Sequence, residues 1–231
     1  MKEKEQMGDG VFLRCNKCHK SAVIPVDRNI TRIVNEFSEH HKDTSLKVIT
    51  MPIIYYDRNM FRYLNYHKGN KSLVGVEIGA MYGYNAKNIF NMFNIEKLYL
   101  IDPYLDYDVL TDDTWKYTNP MDVKKICKKL LKPYEDRIQY IEKYGHDAVD
   151  DIPNNLDFVY TDANHSYEFV KRDLELYYPK IKKGGVIGGH DFSTHHHIEV
   201  IEAFIDFIRE NDIKKTCADI RNEGIDFWIV K

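Results

Sequence analysis

The sequence predicts an α/β domain with a mostly parallel sheet and helices on both faces, preceded by a small Cys-containing extension. Three observations predict it. From residue 73, short runs of β-branched and aliphatic residues alternate with amphipathic stretches of helical length. The strand-like runs are apolar throughout, as expected of strands buried on both sides. Several end in glycines, acids or histidines, and strand carboxyl ends line the ligand crevice of an open parallel sheet.

The elements follow in order. VFLRCNKCHKSAVIPV reads as a hairpin around a Cys-x-x-Cys turn, and DRNITRIVNEFSEHHKD as a helix with Ile30, Ile33, Val34 and Phe37 on one face. These form an extension over residues 1–45, and a helix near residues 57–68 leads into the main domain, residues 46–231. LVGVEIG, KLYLID, RIQYIEK, LDFVYT and GGVIGG are the successive strands. NAKNIFNMFN, PMDVKKICKKLLKPY and SYEFVKRDLELYYPKI are helices between them. IEVIEAFIDFIREN is a long amphipathic helix, and DFWIVK closes the sheet as a strand free to insert antiparallel.

With 231 residues, 43% hydrophobic and 30% charged, the chain can bury a full core. A net charge of −3 gives no electrostatic pull toward nucleic acid or an anionic membrane. No apolar run approaches the roughly 18 residues of a membrane span. MKEKEQMGDG lacks the apolar centre of a secretory signal, so a cytoplasmic protein is expected. The cysteines are then thiols or metal ligands rather than disulfides, and Cys127 and Cys217 read as single buried or half-buried thiols.

Two groups of residues carry chemistry. In VEIGAMYGYNA, Gly79 and Gly83 allow a tight strand-to-helix turn and a close approach of backbone to a ligand. Asp102 ends the next strand, 23 residues beyond Gly79, where an acid can accept hydrogen bonds from ribose hydroxyls. The middle glycine of a dinucleotide turn is absent, so a cofactor without phosphates fits better than NAD. The second group is LDFVYTDANHSY with GGVIGGHDF, which delivers Asp162, His165, His190 and Asp191 to two strand ends. These are metal ligands or proton carriers, or else helix caps and structural donors.

Together these motifs and YLIDPY resemble the class I S-adenosylmethionine-dependent methyltransferases, most of all the metal-dependent catechol-type and macrolide-sugar O-methyltransferases. The resemblance covers roughly residues 70 to 231. It implies a Rossmann-like seven-stranded sheet, the methyltransferase fold. It implies adenosylmethionine held by Glu77, Gly79, Tyr82 and Gly83, with Asp102 on the ribose and His146 or Asp147 beside the adenine. It further implies a divalent cation, Mg²⁺ or Mn²⁺, on Asp162 and Asp191, with His190 where the family places an acid or amide. An imidazole there favours softer ions than Mg²⁺. The cation would acidify an acceptor hydroxyl, with His165 as general base and Asp162 beside it.

Cys15 and Cys18 have the spacing of a zinc half-site, to be completed by His40 or His41. A zinc-free pair is the other reading, because adjacent histidines break the usual spacing. His195, His196 and His197 read as a solvated loop, since consecutive side chains cannot all meet one ion. Tyr104, Tyr107, Trp115 and Tyr117 read as packing of a lid, or as a stacking surface for a sugar. The expected partner is therefore a small hydroxylated molecule, with neither nucleic acid nor membrane, and a homo-oligomer is allowed. Two other functions stay open: an N-methyltransferase for protein or nucleic acid, and a non-catalytic binding module.

Overall fold

The computed structural model describes residues 58–105, 120–193, 197–214, 216–218 and 226–231, together with the backbone of three strands near the N-terminus. The chain divides into two compact units, Met1–Tyr56 and Asp57–Lys231. The boundary falls later than residue 45 because the first unit recruits a third strand from beyond that point. Its strands β1 (Gly10–Arg14), β2 (Ser21–Pro25) and β3 (Lys47–Ile49) form an antiparallel sheet in the order β2-β1-β3. The expected helix after residue 26, with Cys15, Cys18, His40 and His41, lies outside the described residues.

The second unit opens with α1 (Asn59–Lys68) and continues as β4 (Leu73–Ile78), α2 (Tyr84–Met92) and β5 (Ile95–Ile101). Then come α3 (Pro120–Leu131), β6 (Ile138–Ile141), α4 (Gly145–Ala148) and β7 (Leu156–Thr161). It closes with α5 (Tyr167–Tyr177), β8 (Ile181–Gly189), α6 (Ile198–Glu210), β9 (Thr216–Ala218) and β10 (Phe227–Val230). The sheet order is β6-β5-β4-β7-β8-β10-β9. Neighbours from β6 to β8 are parallel, and β10 runs antiparallel to both β8 and β9. Six of these strands are those named from the sequence. The seventh, β9, is three residues long, too short to leave a pattern.

Strand alternation separates two cores. In β7, Phe158 and Tyr160 join Met60, Phe61 and Leu64 of α1, Ile89 of α2 and Leu131 of α3. Val159 joins Val170 and Leu174 of α5 and Val200, Phe204 and Phe207 of α6 on the other face, as does Leu156 because the register shifts between it and Phe158. The α6 residues recur at helical spacing, and Val200, Ala203, Phe204 and Phe207 are all buried. Each such side chain contributes roughly 1.5–3 kcal/mol relative to exposure. Among the described residues, no helix is long and apolar enough to cross a membrane.

The order reverses between β4 and β7: from β4 the chain first builds outward through β5 and β6, then returns to β7 on the other side. A crevice opens at such a switch point, beyond the strand carboxyl ends. Both groups of candidate residues stand there.

Candidate active site

The glycine rim follows β4. Gly79 and Gly83 adopt φ of 91° and 79°, where any Cβ is strained. The close approach they permit is to the protein itself. A Cβ on Gly79 would overlap the carbonyl oxygen of Asp162, and one on Gly83 would stand 2.8 Å from Cys127 Sγ of α3. Gly79 thus presses the turn against the end of β7 and links the two candidate groups.

Asp102, just past β5, is 3% exposed. Its Oδ2 accepts the Met81 N–H at 2.8 Å and its Oδ1 accepts the Tyr104 N–H at 2.9 Å. The carboxylate therefore fastens the loops on which a ribose would rest. Glu77, inside β4, is 1% exposed; Oε1 accepts from Asn85 Nδ2 of α2 at 3.1 Å. Oε2 is buried with no hydrogen-bond partner, and burial pushes the carboxyl up to about 8. A buried acid short of a partner suits a positively charged guest. Adenosylmethionine brings an ammonium and a sulfonium, so Glu77, Asp102 and the turn around half-buried Tyr82 fit it.

The segment after β6 is the short helix α4 followed by a 3₁₀ turn over Val149–Asp151. A Cβ on Gly145 would lie 3.0 Å from Ile78, so α4 starts against the end of β4. There His146 stacks on Tyr144 with centroids 5.6 Å apart, and its Nε2 is 3.7 Å from Asp147 Oδ2.

The acid-histidine rim follows β7 and β8. Asp162 and His165 come from one strand end, His190 and Asp191 from the other, and all four converge. His165 Nε2 lies 2.8 Å from Asp191 Oδ2 and 3.6 Å from Asp162 Oδ1. His190 Nδ1 lies 3.0 Å from Asp191 Oδ1 and 4.0 Å from Asp162 Oδ1. The carboxylates thus face the imidazoles and Arg58 rather than a helix N-terminus. Asp191 holds φ at 60°, a left-handed conformation uncommon outside glycine and characteristic of functional turns.

The electrostatics follow from this packing. Burial opposes protonation of His165, but Asp162 and Asp191 outweigh it and push the imidazole up to about 9. Burial also opposes the charge on Asp191, yet His165 and His190 hold that carboxyl well below its usual range. Asp162 is lowered too, as His165, Arg58 and His190 outweigh its burial. The Nε2 atoms of both histidines are buried without an aligned hydrogen-bond partner, despite the short contact of His165 to Asp191.

Asp162, His190 and Asp191 offer one ligand atom each, all within 4.8 Å of one another. Two carboxylates and an imidazole whose other nitrogen is orphaned make a donor set that fits a divalent cation. His165, Asp191 and His197 form a second such group. His195 and His196, and the aromatic segment with Tyr107, Trp115 and Tyr117, lie outside the described residues.

Sequence reasoning missed what stands behind Asp162. Arg58, at the start of α1, places Nη2 3.3 Å from Asp162 Oδ2 and Nη1 3.7 Å from Asp226 Oδ1. Asp226 is fully buried and accepts from Tyr160 OH at 3.0 Å and from the Met60 N–H at 3.2 Å. The available signal was weak: an arginine just before a helix, and an acid just before an apolar strand.

Known proteins match this architecture. A solved structure from Clostridium thermocellum, provisionally named an rRNA methylase, aligns at a TM-score of 0.53 with 16% identity, covering 76% of this chain and 96% of that one. A Streptococcus mutans methyltransferase, also provisionally named and solved with S-adenosylhomocysteine, aligns at 0.53 with 9% identity, covering 74% and 94%. A Staphylococcus aureus protein provisionally named a caffeoyl-CoA O-methyltransferase aligns at 0.53 with 17% identity, covering 89% and 93%. At these identities the likeness is one of fold. An uncharacterized protein of Acanthamoeba polyphaga mimivirus is 33% identical over 63 residues, 25% of this chain and 28% of that protein. The match thus spans little more than a quarter of that relative's length.

The family described as a methyltransferase domain matches residues 76–192, from the glycine turn through the acid-histidine rim. The chain belongs to that family of methyltransferase domains.

Proposed function

We propose that the chain O-methylates a small hydroxylated molecule, such as a sugar or glycan, with a divalent cation at the acid-histidine rim. The observation that carries this reading is the convergence of Asp162, His190 and Asp191 within 4.8 Å, at strand ends adjoining the glycine rim. Asp162, His190 and Asp191 would hold the ion, and Mg²⁺ or Mn²⁺ suits their oxygens. When bound, such an ion acts as a Lewis acid on a hydroxyl oxygen.

The chain's own residues supply the rest. Glu77 and Asp102 hold the cofactor, with His146 and Asp147 on α4 beside its adenine. In the reaction the acceptor oxygen attacks the sulfonium methyl, the carbon–sulfur bond breaks, and its electron pair stays on sulfur. The hydroxyl proton leaves to His165 Nε2 in its neutral form, and because Asp162 and Asp191 raise that imidazole to about 9, turnover should climb with pH toward that value. Positioning of oxygen against methyl supplies much of the rate. In the first unit, Cys15 and Cys18 with His40 or His41 are proposed zinc ligands.

Calorimetry with adenosylmethionine, followed by adenosylhomocysteine production against a panel of hydroxylated compounds, tests this. Binding is expected to weaken at least tenfold in Asp102→Ala, and turnover to vanish in Asp162→Ala and after chelation. Absence of cofactor binding would sink the cofactor assignment. Full activity in a chelated preparation would remove the cation alone.

A further inference from the structure

We propose that a second cation position lies beside the first, formed by His165, Asp191 and His197, that it takes a borderline transition ion such as Zn²⁺, and that an ion there withdraws His165 from the acceptor. The three residues offer ligand atoms within 4.8 Å of one another. His165 Nε2 and Asp191 Oδ2 are 2.8 Å apart, so the pair has to open by only about 0.6 Å to reach the roughly 3.4 Å between neighbouring ligands of a tetrahedral ion with bonds of about 2.1 Å. The rings of His165 and His197 stand 4.4 Å apart at 40°.

Asp191 divides its two oxygens between the positions. Oδ1 faces His190 and the inner group, while Oδ2 faces His165 and the outer one. Backbone bonds tie His197 to Asp191 through Ser193. The Ser193 N–H donates to the Asp191 carbonyl at 2.8 Å, and the His197 N–H to the Ser193 carbonyl at 3.2 Å. His165 Nε2, buried and without an aligned hydrogen bond, is an orphaned donor atom at the centre of this arrangement.

Donor chemistry separates the two positions. The inner one has two carboxylates and one imidazole and suits hard ions; the outer has two imidazoles and one carboxylate. Two histidines with one acid favour Zn²⁺, Co²⁺ or Fe²⁺ over Mg²⁺. The consequence for activity rests on the proposed role of His165: an imidazole that coordinates an ion through Nε2 cannot receive a proton there. A hard ion in the inner position would then support turnover, and a transition ion in the outer position would arrest it.

The test is titration of the full chain with Co²⁺, read by its visible absorption. A Cys15→Ser/Cys18→Ser background removes thiolate ligation in the first unit. His197→Ala is expected to weaken Co²⁺ binding at least about tenfold, whereas Asp162→Ala and His195→Ala/His196→Ala leave the outer ion in place. His197→Gln provides a second variant should the alanine variant fold poorly. Zn²⁺ is expected to inhibit methyl transfer by the parent protein, and His197→Ala to relieve that inhibition, read in each protein as the ratio of its rates with and without Zn²⁺. Absence of Co²⁺ binding, or binding indifferent to His197, overturns the second position. Co²⁺ binding lost in His197→Ala without any relief from Zn²⁺ overturns its link to His165. If no acceptor is ever methylated, the spectrum still decides the outer position, so the two readings fail separately.

Discussion

At the glycine rim, side-chain acids are met by backbone: Asp102 takes the N–H groups of Met81 and Tyr104, and a bare Gly79 lies against the Asp162 carbonyl. At the acid-histidine rim, side chains meet one another: Arg58 stands between Asp162 and Asp226, and two imidazoles press on Asp191. The first rim is a shape, set by φ angles and loop bonds. The second is a balance of charges, each held by its neighbours. A shape fails through a single added carbon, whereas a balance fails when one charge is deleted and its partner is left buried.

The largest expected effect follows from the second rim. Arg58→Met keeps the apolar stem and deletes the charge between Asp162 and the fully buried Asp226. Breaking one side of a buried ion pair costs about 3–5 kcal/mol. Urea unfolding should show a loss of that size. A loss under about 1 kcal/mol would mean that this rim is not held together by the arginine.

Next comes the first rim. Gly79→Ala forces a Cβ into the Asp162 carbonyl at a φ of 91°. Backbone cannot give way as a flexible side chain can, so strain and overpacking together should cost about 2–4 kcal/mol. Because the overlapping atom belongs to Asp162, this substitution should disturb both rims, weakening cofactor and cation binding together in calorimetry. Loss of one with the other intact would show that Gly79 does not couple them.

This contrast also explains what the sequence could reveal. The glycine rim was legible because its parts are neighbours in the chain: Gly79, Gly83 and Asp102 sit at spacings fixed by one strand, one helix and the next strand. Asp162, His165, His190 and Asp191 were legible for the same reason, as each pair directly follows a strongly apolar strand. Arg58 and Asp226 lie 168 residues apart, and they meet only because the sheet sets β10 one strand away from β7, across β8, with α1 packed over Phe158, Tyr160 and Trp228. His197 was read within a histidine run as a solvated loop, although its N–H bonds back to the Ser193 carbonyl and its ring stands beside His165. The helix α4 left no mark in the sequence because GHDA is too short to carry a helical period. The domain boundary moved because Lys47–Ile49 belongs to β1 by pairing, a long-range fact without a local mark.

A smaller effect is expected of Asp102→Asn. The amide keeps one acceptor but turns an NH₂ group toward the other loop N–H, so one of the two backbone bonds is lost. A buried donor left unsatisfied costs about 1–3 kcal/mol. Thermal unfolding should show that loss, and a chain as stable as the parent would mean that the loops hold their shape without the carboxylate.

The last effect concerns Glu77, and its size depends on pH. Its ordinary value of 4.5 rises to about 8 in the fold, because burial disfavours the charge more than Asn85 relieves it. Between these values the folded chain keeps a proton that the unfolded chain has released, so stability falls as pH rises through the window and is flat above it. Asp173 and His165, pushed up to about 7 and about 9, add declines of the same sign, so only the difference from a variant isolates Glu77. Glu77→Gln should match the parent near pH 4.5 and be the more stable of the two near pH 8.5. The cofactor should reverse this gain. Positive charge beside the orphaned Oε2 favours the carboxylate, so adenosylmethionine binding at pH 7 should release a proton from the parent that Glu77→Gln has no means to supply. Calorimetry in buffers of different ionisation enthalpy reads that proton directly. Equal release from both proteins would detach Glu77 from the cofactor and leave it a strained core acid, with Asp102 then carrying the polar contacts of that rim.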